Sequence, residues 1–149
     1  MKYYNEEWLN DCIEFNRLSK DKEYLDYSHA HLPYWYNQFS FHDSRIISVE
    51  KSRELMTLNL EDDNKEHTRY QFHFYNPKFI EECHLDNAWW LADELYLVDD
   101  GCEFHFFVDC DGSANLLGFF TLRCSKIELI YNNKIYSVGK ESTPEDFKK

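Results

Sequence analysis

Apolar and polar side chains alternate over residues 69–74, where Tyr70, Phe72 and Phe74 are separated by Arg69, Gln71 and His73. A strand with one buried face requires this period of two, because successive side chains point to opposite faces. The same period recurs within residues 45–50, 55–60, 91–97 and 104–108, and residues 135–138 form the last predicted strand. The aromatic share of 18% also favours sheet, since large rings suit pleated, half-buried surfaces. The sequence therefore predicts a protein dominated by strands from Ser44 onward.

Short turns separate these strands. Asp99-Asp100-Gly101, Asp111-Gly112 and Asn132-Asn133 carry the residue types that tolerate a positive φ in tight hairpins. Such short connections predict antiparallel neighbours. The stretch from Leu116 to Tyr131 fits one bent strand or two short ones, and residues 78–88 fit a short helix or an irregular loop.

The N-terminal third has a helical period instead. Over residues 5–19, Asn5 supplies a cap, and apolar side chains recur on one broad face. A second helix is predicted from Asp21 to Pro33. We therefore predict an α+β fold, with an N-terminal helical segment packed on a mainly antiparallel meander sheet of about six to eight strands. We predict a single domain over 1–149, with 1–40 helical, 41–140 forming the sheet and 141–149 a polar tail.

The charge is concentrated in one window. The net charge is −12, and no Lys or Arg occurs between Lys78 and Arg123, where ten carboxylates lie. This balance argues against nucleic acid and anionic membranes, which are bound mainly through Lys and Arg. It is typical of a protein that binds a basic protein partner, or of one whose charge serves solubility alone. The predicted partner-binding residues are Trp89, Asp93, Glu94, Asp99, Asp100 and Glu103.

Cysteine usage and the N-terminus indicate the compartment. The five cysteines form no Cys-x-x-Cys pair, and their odd number argues against a disulfide framework. The first residues hold no apolar signal core, and no apolar run reaches the ~20 residues that span a bilayer. We predict a cytoplasmic protein with reduced thiols.

No group of residues has the spacing of a catalytic or metal site. His29 and His31 are two apart in a segment that looks helical, where their side chains would diverge. Cys83 and His84 lie beside Glu81 and Glu82, whose charges oppose a reactive thiolate. We therefore expect no catalytic residue, no metal, no cofactor and no enzymatic activity.

One motif resembles a known group of proteins. The segment Phe41-His42-Asp43-Ser44-Arg45-Ile46, followed by residues 55–60, resembles the His-Asp-Ser/Ala-x-Ile opening of small bacterial domains of unknown function. The resemblance extends over about residues 40–130, and some families with this pattern are predicted immunity proteins of toxin systems. It implies no catalytic residue. We interpret His42-Asp43 as structural, with Asp43 accepting backbone N–H groups and His42 packing under the sheet.

Three functions remain open. The leading hypothesis is a protein-binding module, most concretely a toxin-neutralising immunity protein that occludes a basic groove. Trp89 and Trp90 cannot both point into a one-sided core, so either one is exposed or both are buried between sheet and helix. The alternatives are a small-molecule binder or enzyme, whose aromatic pocket in the sheet would hold His73 or His105, and a homo-oligomer. The oligomeric state itself is left undecided.

Overall fold

The computed structural model describes Phe39, Glu66 and residues 41–62, 68–98, 100–113 and 116–139. These residues form nine strands: β1 Arg45–Lys51, β2 Leu55–Asp62, β3 Thr68–Tyr75, β4 Lys78–Glu81, β5 Trp89–Val98, β6 Gly101–Asp109, β7 Leu117–Cys124, β8 Lys126–Tyr131 and β9 Lys134–Gly139. All nine belong to one sheet in the order β4-β7-β6-β5-β1-β2-β3-β8-β9. Every pairing is antiparallel.

The predicted α+β class is wrong. The described residues form a nine-stranded antiparallel sheet and contain no helix. The two predicted helices, over 5–19 and from Asp21 to Pro33, lie outside the described residues. Residues 78–88, which show no clear period, supply the short strand β4, in which only the side chain of Phe79 is partly buried.

The sheet is a meander only in part. β1, β2 and β3 follow one another, as do β5, β6 and β7. However, β4 pairs with β7 and β3 pairs with β8, which lie far apart in the sequence. The predicted tight turns are confirmed, since Gly112, Asn132 and Asn133 all have a positive φ.

The sheet bends until its two halves pack face to face. The ring of Phe72 on β3 lies 5.9 Å from that of Phe104 on β6, and the rings of Phe74 and Phe104 are 5.5 Å apart. In a flat sheet these strands, four places apart, would be separated by about 19 Å. One layer is therefore β4-β7-β6-β5, the other is β1-β2-β3-β8-β9, and the core lies between them.

Stacked aromatic rings fill the space between the layers. Trp90 on β5 is fully buried, parallel to Phe106 at 4.7 Å and to Phe72 at 5.9 Å. Phe41, just before β1, packs edge-on against Phe72 at 5.1 Å. These rings fill the interior, where the alternative hypothesis placed an apolar ligand pocket.

Candidate functional site

The structure separates the predicted partner-binding residues. Trp89 begins β5 and Asp100 follows its other end, so about 30 Å of extended strand lies between them. Trp89 is partly exposed and Asp100 is exposed. Asp99 lies outside the described residues. The two exposed members of the set therefore lie at opposite ends of the sheet.

The other three predicted residues make internal contacts. Asp93 accepts a hydrogen bond of 2.7 Å from the indole N–H of Trp90. Glu94 is only 5% exposed. Glu103 binds Arg123, with Oε2 3.1 Å from a guanidinium nitrogen. These carboxylates are engaged within the protein, and sequence alone did not reveal their neighbours.

Glu103 also belongs to a polar network centred on His105. His105 is the register partner of Glu94 on β5 and of Thr121 on β7. Its Nε2 lies 3.0 Å from Oε1 of Glu103, and its Nδ1 lies 3.1 Å from Oγ1 of Thr121. These side chains share the face of the β5-β6-β7 layer that points away from the core.

The chain of hydroxyl, imidazole and carboxylate has the order of a nucleophile, a base and an orienting group. Burial lowers the pKa of His105, opposed by the nearby charges of Glu103 and Glu94. Thr121, however, is only 6% exposed. A hydroxyl so enclosed cannot approach a substrate in this state, so the geometry favours a network that stabilises the sheet.

The exposed end of β5 has a different character. The indole of Trp89 packs on the turn after β6, where a Cβ added to Gly112 would lie 3.1 Å from Nε1. Oδ1 of Asp109 accepts the N–H of Gly112 at 3.0 Å, and Oδ1 of Asp111 accepts that of Ser113 at 2.9 Å. The turn that supports Trp89 is therefore held by its own side chains.

Charged and apolar residues precede Trp89 in the chain and form the turn after β6 on which its indole packs. Asp86 and Asp111 are exposed, and Leu116 is 55% exposed. Hydrogen bonds from Ser113 lower the pKa of Asp111, so its carboxylate is ionised at neutral pH. Arg45, the register partner of Trp89, donates to Oδ1 of Asn87 at 3.3 Å. We call this surface the Trp89 end, and its members are Arg45, Asp86, Trp89, Asp111, Gly112 and Leu116.

Sequence reasoning identified Trp89 but missed most of its surroundings. Asp86 and Asp111 belong to the acidic window, and Asp86 is already close to Trp89 in the sequence, whereas only the packing of Gly112 on the indole brings Asp111 to the same region. Leu116 was the first residue of an apolar stretch predicted to form strand, so its exposure was not predicted.

The His-Asp motif fastens the first strand to β5. The N–H of Asp43, at a φ of 66°, donates to the carbonyl of Trp90 at 2.9 Å. Nδ1 of His42 donates to the carbonyl of Leu91 at 2.9 Å. The pairing of β5 with β6 shifts register between Trp90 and Ala92, so the motif engages a bulge. The interpretation that His42 packs under the sheet is wrong, because its side chain is 61% exposed.

The described residues line at least two surface depressions. One, of about 560 Å³, is lined by Lys78, Asp100 and Arg123 among others. The other, of about 580 Å³, includes the hydrogen-bonded amides of Asn59 and Gln71. His73, which the pocket hypothesis placed in an aromatic pocket, instead lies on the outer face of β3. Its Nδ1 is 4.0 Å from Oε1 of Glu128 on β8. The described residues contain no group of three or more side chains that could hold a metal ion.

A family model described as a protein of unknown function, DUF4085, matches residues 5–115. The chain belongs to this family. The DUF4085 match includes β1 to β6 and all of the Trp89 end except Leu116. No curated protein and no solved structure matches the chain. The narrower resemblance to predicted immunity proteins finds no support in these comparisons.

In the part of the chain that the structure describes, no helix is long and apolar enough to cross a membrane.

Proposed function

We propose that this DUF4085 protein is a protein-binding module and that the Trp89 end is its docking surface. The observation that carries the proposal is a partly exposed indole supported by a turn with its own hydrogen bonds. Trp is enriched among the residues that contribute most to protein–protein affinity. A ring already held in place loses little conformational entropy on binding.

The charges around the indole favour a basic partner. Asp86 and Asp111 are exposed near Trp89, and Asp111 is ionised at neutral pH. The guanidinium of Arg45 is engaged with Asn87. Carboxylates at the rim of an interface accelerate association with a positively charged surface and disfavour acidic competitors.

The narrower form of the proposal makes the partner a toxin that is neutralised in the cytoplasm by occlusion of its basic groove. It is supported by the net charge of −12 and by the resemblance of residues 41–46 and 55–60. In this form the protein binds its partner and performs no reaction.

The test begins with affinity capture from a lysate of the native organism at low salt, followed by purification of the captured protein. Its affinity for the wild type is then compared with that for Trp89→Ala and for the double variant Asp86→Asn, Asp111→Asn. The matched control is Asp100→Asn with Glu66→Gln, which removes the same charge from exposed residues outside the Trp89 end. Circular dichroism establishes that each variant is folded.

We expect Trp89→Ala to weaken binding by at least ~30-fold, the effect of a central anchor residue. The double variant should slow association and reduce its dependence on salt, while the control pair binds as the wild type does. Equal binding by all four proteins would remove the Trp89 end as the docking surface. Failure to capture any partner would leave the charge as a solubility device.

A further inference from the structure

Two thiols meet over a glycine on β7. Cys83 lies two residues after β4, Cys110 directly follows β6, and β7 runs between these two strands. A Cβ added to Gly118 on β7 would lie 2.8 Å from the sulfur of Cys83 and 3.1 Å from that of Cys110. Because Gly118 has no side chain, both thiols can occupy the space above it.

The two thiols are also hydrogen-bonded to each other. The two sulfur atoms are therefore neighbours, and a disulfide requires them to approach to the S–S bond length of about 2.05 Å. The two cysteines are far apart in the sequence, and no spacing motif links them. Only the pairing of β4 with β7 and of β7 with β6 brings them together.

Exposure distinguishes this pair from a second one. Cys102 and Cys124 are register partners on β6 and β7, but they are 0% and 5% exposed. Cys83 is partly exposed, whereas the other three described cysteines are buried. Among the described cysteines, Cys83 is therefore the most open to a small polar oxidant, whereas Cys102 and Cys124 belong to the core.

We propose that Cys83 and Cys110 form a redox-active pair that a hydroperoxide converts into an intramolecular disulfide. The sulfur of Cys83 attacks the outer oxygen of the peroxide and becomes a sulfenic acid, while the thiol proton passes to the departing alkoxide or hydroxide. The sulfur of Cys110 then attacks the sulfenic sulfur. The S–S bond forms, and the hydroxyl group leaves with the proton of Cys110 as water.

The disulfide ties the chain after the edge strand β4 to the end of β6. Cys110 is next to Asp111, so the cross-link also fixes the turn under Trp89. The chemistry does not require the proposed binding function, and either proposal can fail without the other.

The environment of Cys83 sets how the rate depends on pH. Burial raises the pKa of Cys83 to about 12. Because the thiolate is the reactive form, its oxidation should accelerate about tenfold per pH unit from pH 7 to pH 9 without reaching a plateau. An ordinary exposed thiol, with a pKa of about 8.5, approaches its plateau over this range.

The experiment treats the reduced full-length protein with hydrogen peroxide and measures its intact mass without reductant, followed by peptide mapping. We expect the loss of two hydrogens and a single cross-linked peptide pair containing Cys83 and Cys110. The variants Cys83→Ser and Cys110→Ser should each prevent this loss, and the matched control Cys12→Ser should retain it. Gly118→Ala, whose new methyl group occupies the shared space, should slow the reaction in the folded protein.

Other results would overturn the proposal. These are a cross-link between any other pair, conversion of Cys83 to sulfinic acid without a cross-link, or no change in mass at pH 9. Retention of the cross-link in Cys83→Ser would do the same.

Discussion

Ser44, immediately before β1, offers a direct test of the packing described above. Its side chain is fully buried, and its hydroxyl has no hydrogen-bond partner among the residues that the structure describes. Its backbone is well satisfied, since its N–H donates to Phe41 at 2.9 Å and its carbonyl accepts from Trp90 at 2.8 Å. Replacing Ser44 by Ala removes the unsatisfied oxygen and keeps the backbone contacts.

The expected gain follows from the desolvation of the hydroxyl. Burying such a group without a hydrogen bond costs about 1–3 kcal/mol in protein mutational data. The variant loses a few tenths of a kcal/mol of dispersion contacts around the vacated oxygen site. We therefore expect Ser44→Ala to raise the free energy of unfolding by about 1 kcal/mol. With a urea m-value of about 2 kcal/mol/M, the unfolding midpoint should rise by about 0.5 M.

The matched control is Ser48→Ala. The hydroxyl of Ser48 accepts a hydrogen bond of 2.7 Å from Nδ2 of Asn59. The same substitution there should lower the free energy of unfolding by about 1 kcal/mol, because the amide loses its partner. Urea unfolding followed by tryptophan fluorescence measures both variants. If Ser44→Ala destabilises the protein as much as Ser48→Ala does, the Ser44 hydroxyl is hydrogen-bonded in the native protein and the reasoning is refuted.

Three further substitutions test other parts of the structure. Trp90→Phe keeps a ring in the stack but removes the indole donor to Asp93, and should cost about 2–3 kcal/mol by urea unfolding; a cost below 1 kcal/mol would contradict the role of that hydrogen bond. Gly101→Ala, at a φ of 147° and with its new Cβ against the carbonyl oxygen of Cys124, should destabilise by more than about 3 kcal/mol, and a thermal midpoint equal to that of the wild type would contradict the need for glycine at this turn. The pKa of Glu128 is lowered: burial raises it, but hydrogen bonds from Tyr75 and Lys126 outweigh this effect. The stability that Glu128 contributes is therefore present above the unfolded pKa of about 4.3 and is lost as the pH falls through the lower folded pKa. Glu128→Gln should show a weaker loss of stability than the wild type between pH 5 and pH 3, whereas parallel curves would exclude this carboxylate as a source of the acid sensitivity.

The sequence predicted local features well because they depend on local physics. The alternation from Arg69 to Phe74 became β3 with a buried face formed by Tyr70, Phe72 and Phe74. Asn132-Asn133 became a tight turn because Asn tolerates a positive φ. For the adjacent Trp89 and Trp90, the sequence left two alternatives, one ring exposed or both buried; in the structure Trp90 is fully buried and Trp89 is partly exposed.

Long-range pairing could not be predicted in the same way. Nothing in the sequence of Lys78–Glu81 indicates that this strand pairs with Leu117–Cys124, since an edge strand needs few buried side chains. The bend that brings Phe72 onto Phe104 likewise arises from the accumulated twist of many strands, not from any one residue.

The candidate site shows the same limit. The acidic window correctly indicated where carboxylates are dense, but a count of charges along the chain contains no information about which face each one occupies. Glu94 and Glu103 point to the face that holds His105, whereas Asp93 reaches the indole of Trp90. The surface around Trp89 depends on the packing of the turn after β6 against the indole at the start of β5, which no local sequence pattern predicts.

The strand order also determines how the chain reaches its native state. Within β1-β2-β3 and within β5-β6-β7, neighbours in the sequence pair across short connections, so each group can form early at a low cost in loop entropy. The two groups join through the pair Arg45 and Trp89, and β8 and β4 then pair with β3 and β7 across long stretches of chain. Because these later pairings join residues far apart in the sequence, we expect a high contact order, which is associated with folding in milliseconds to seconds. Until the two groups of strands pack against each other, we expect the aromatic faces of both to be exposed to solvent, so aggregation is the greatest risk in that interval.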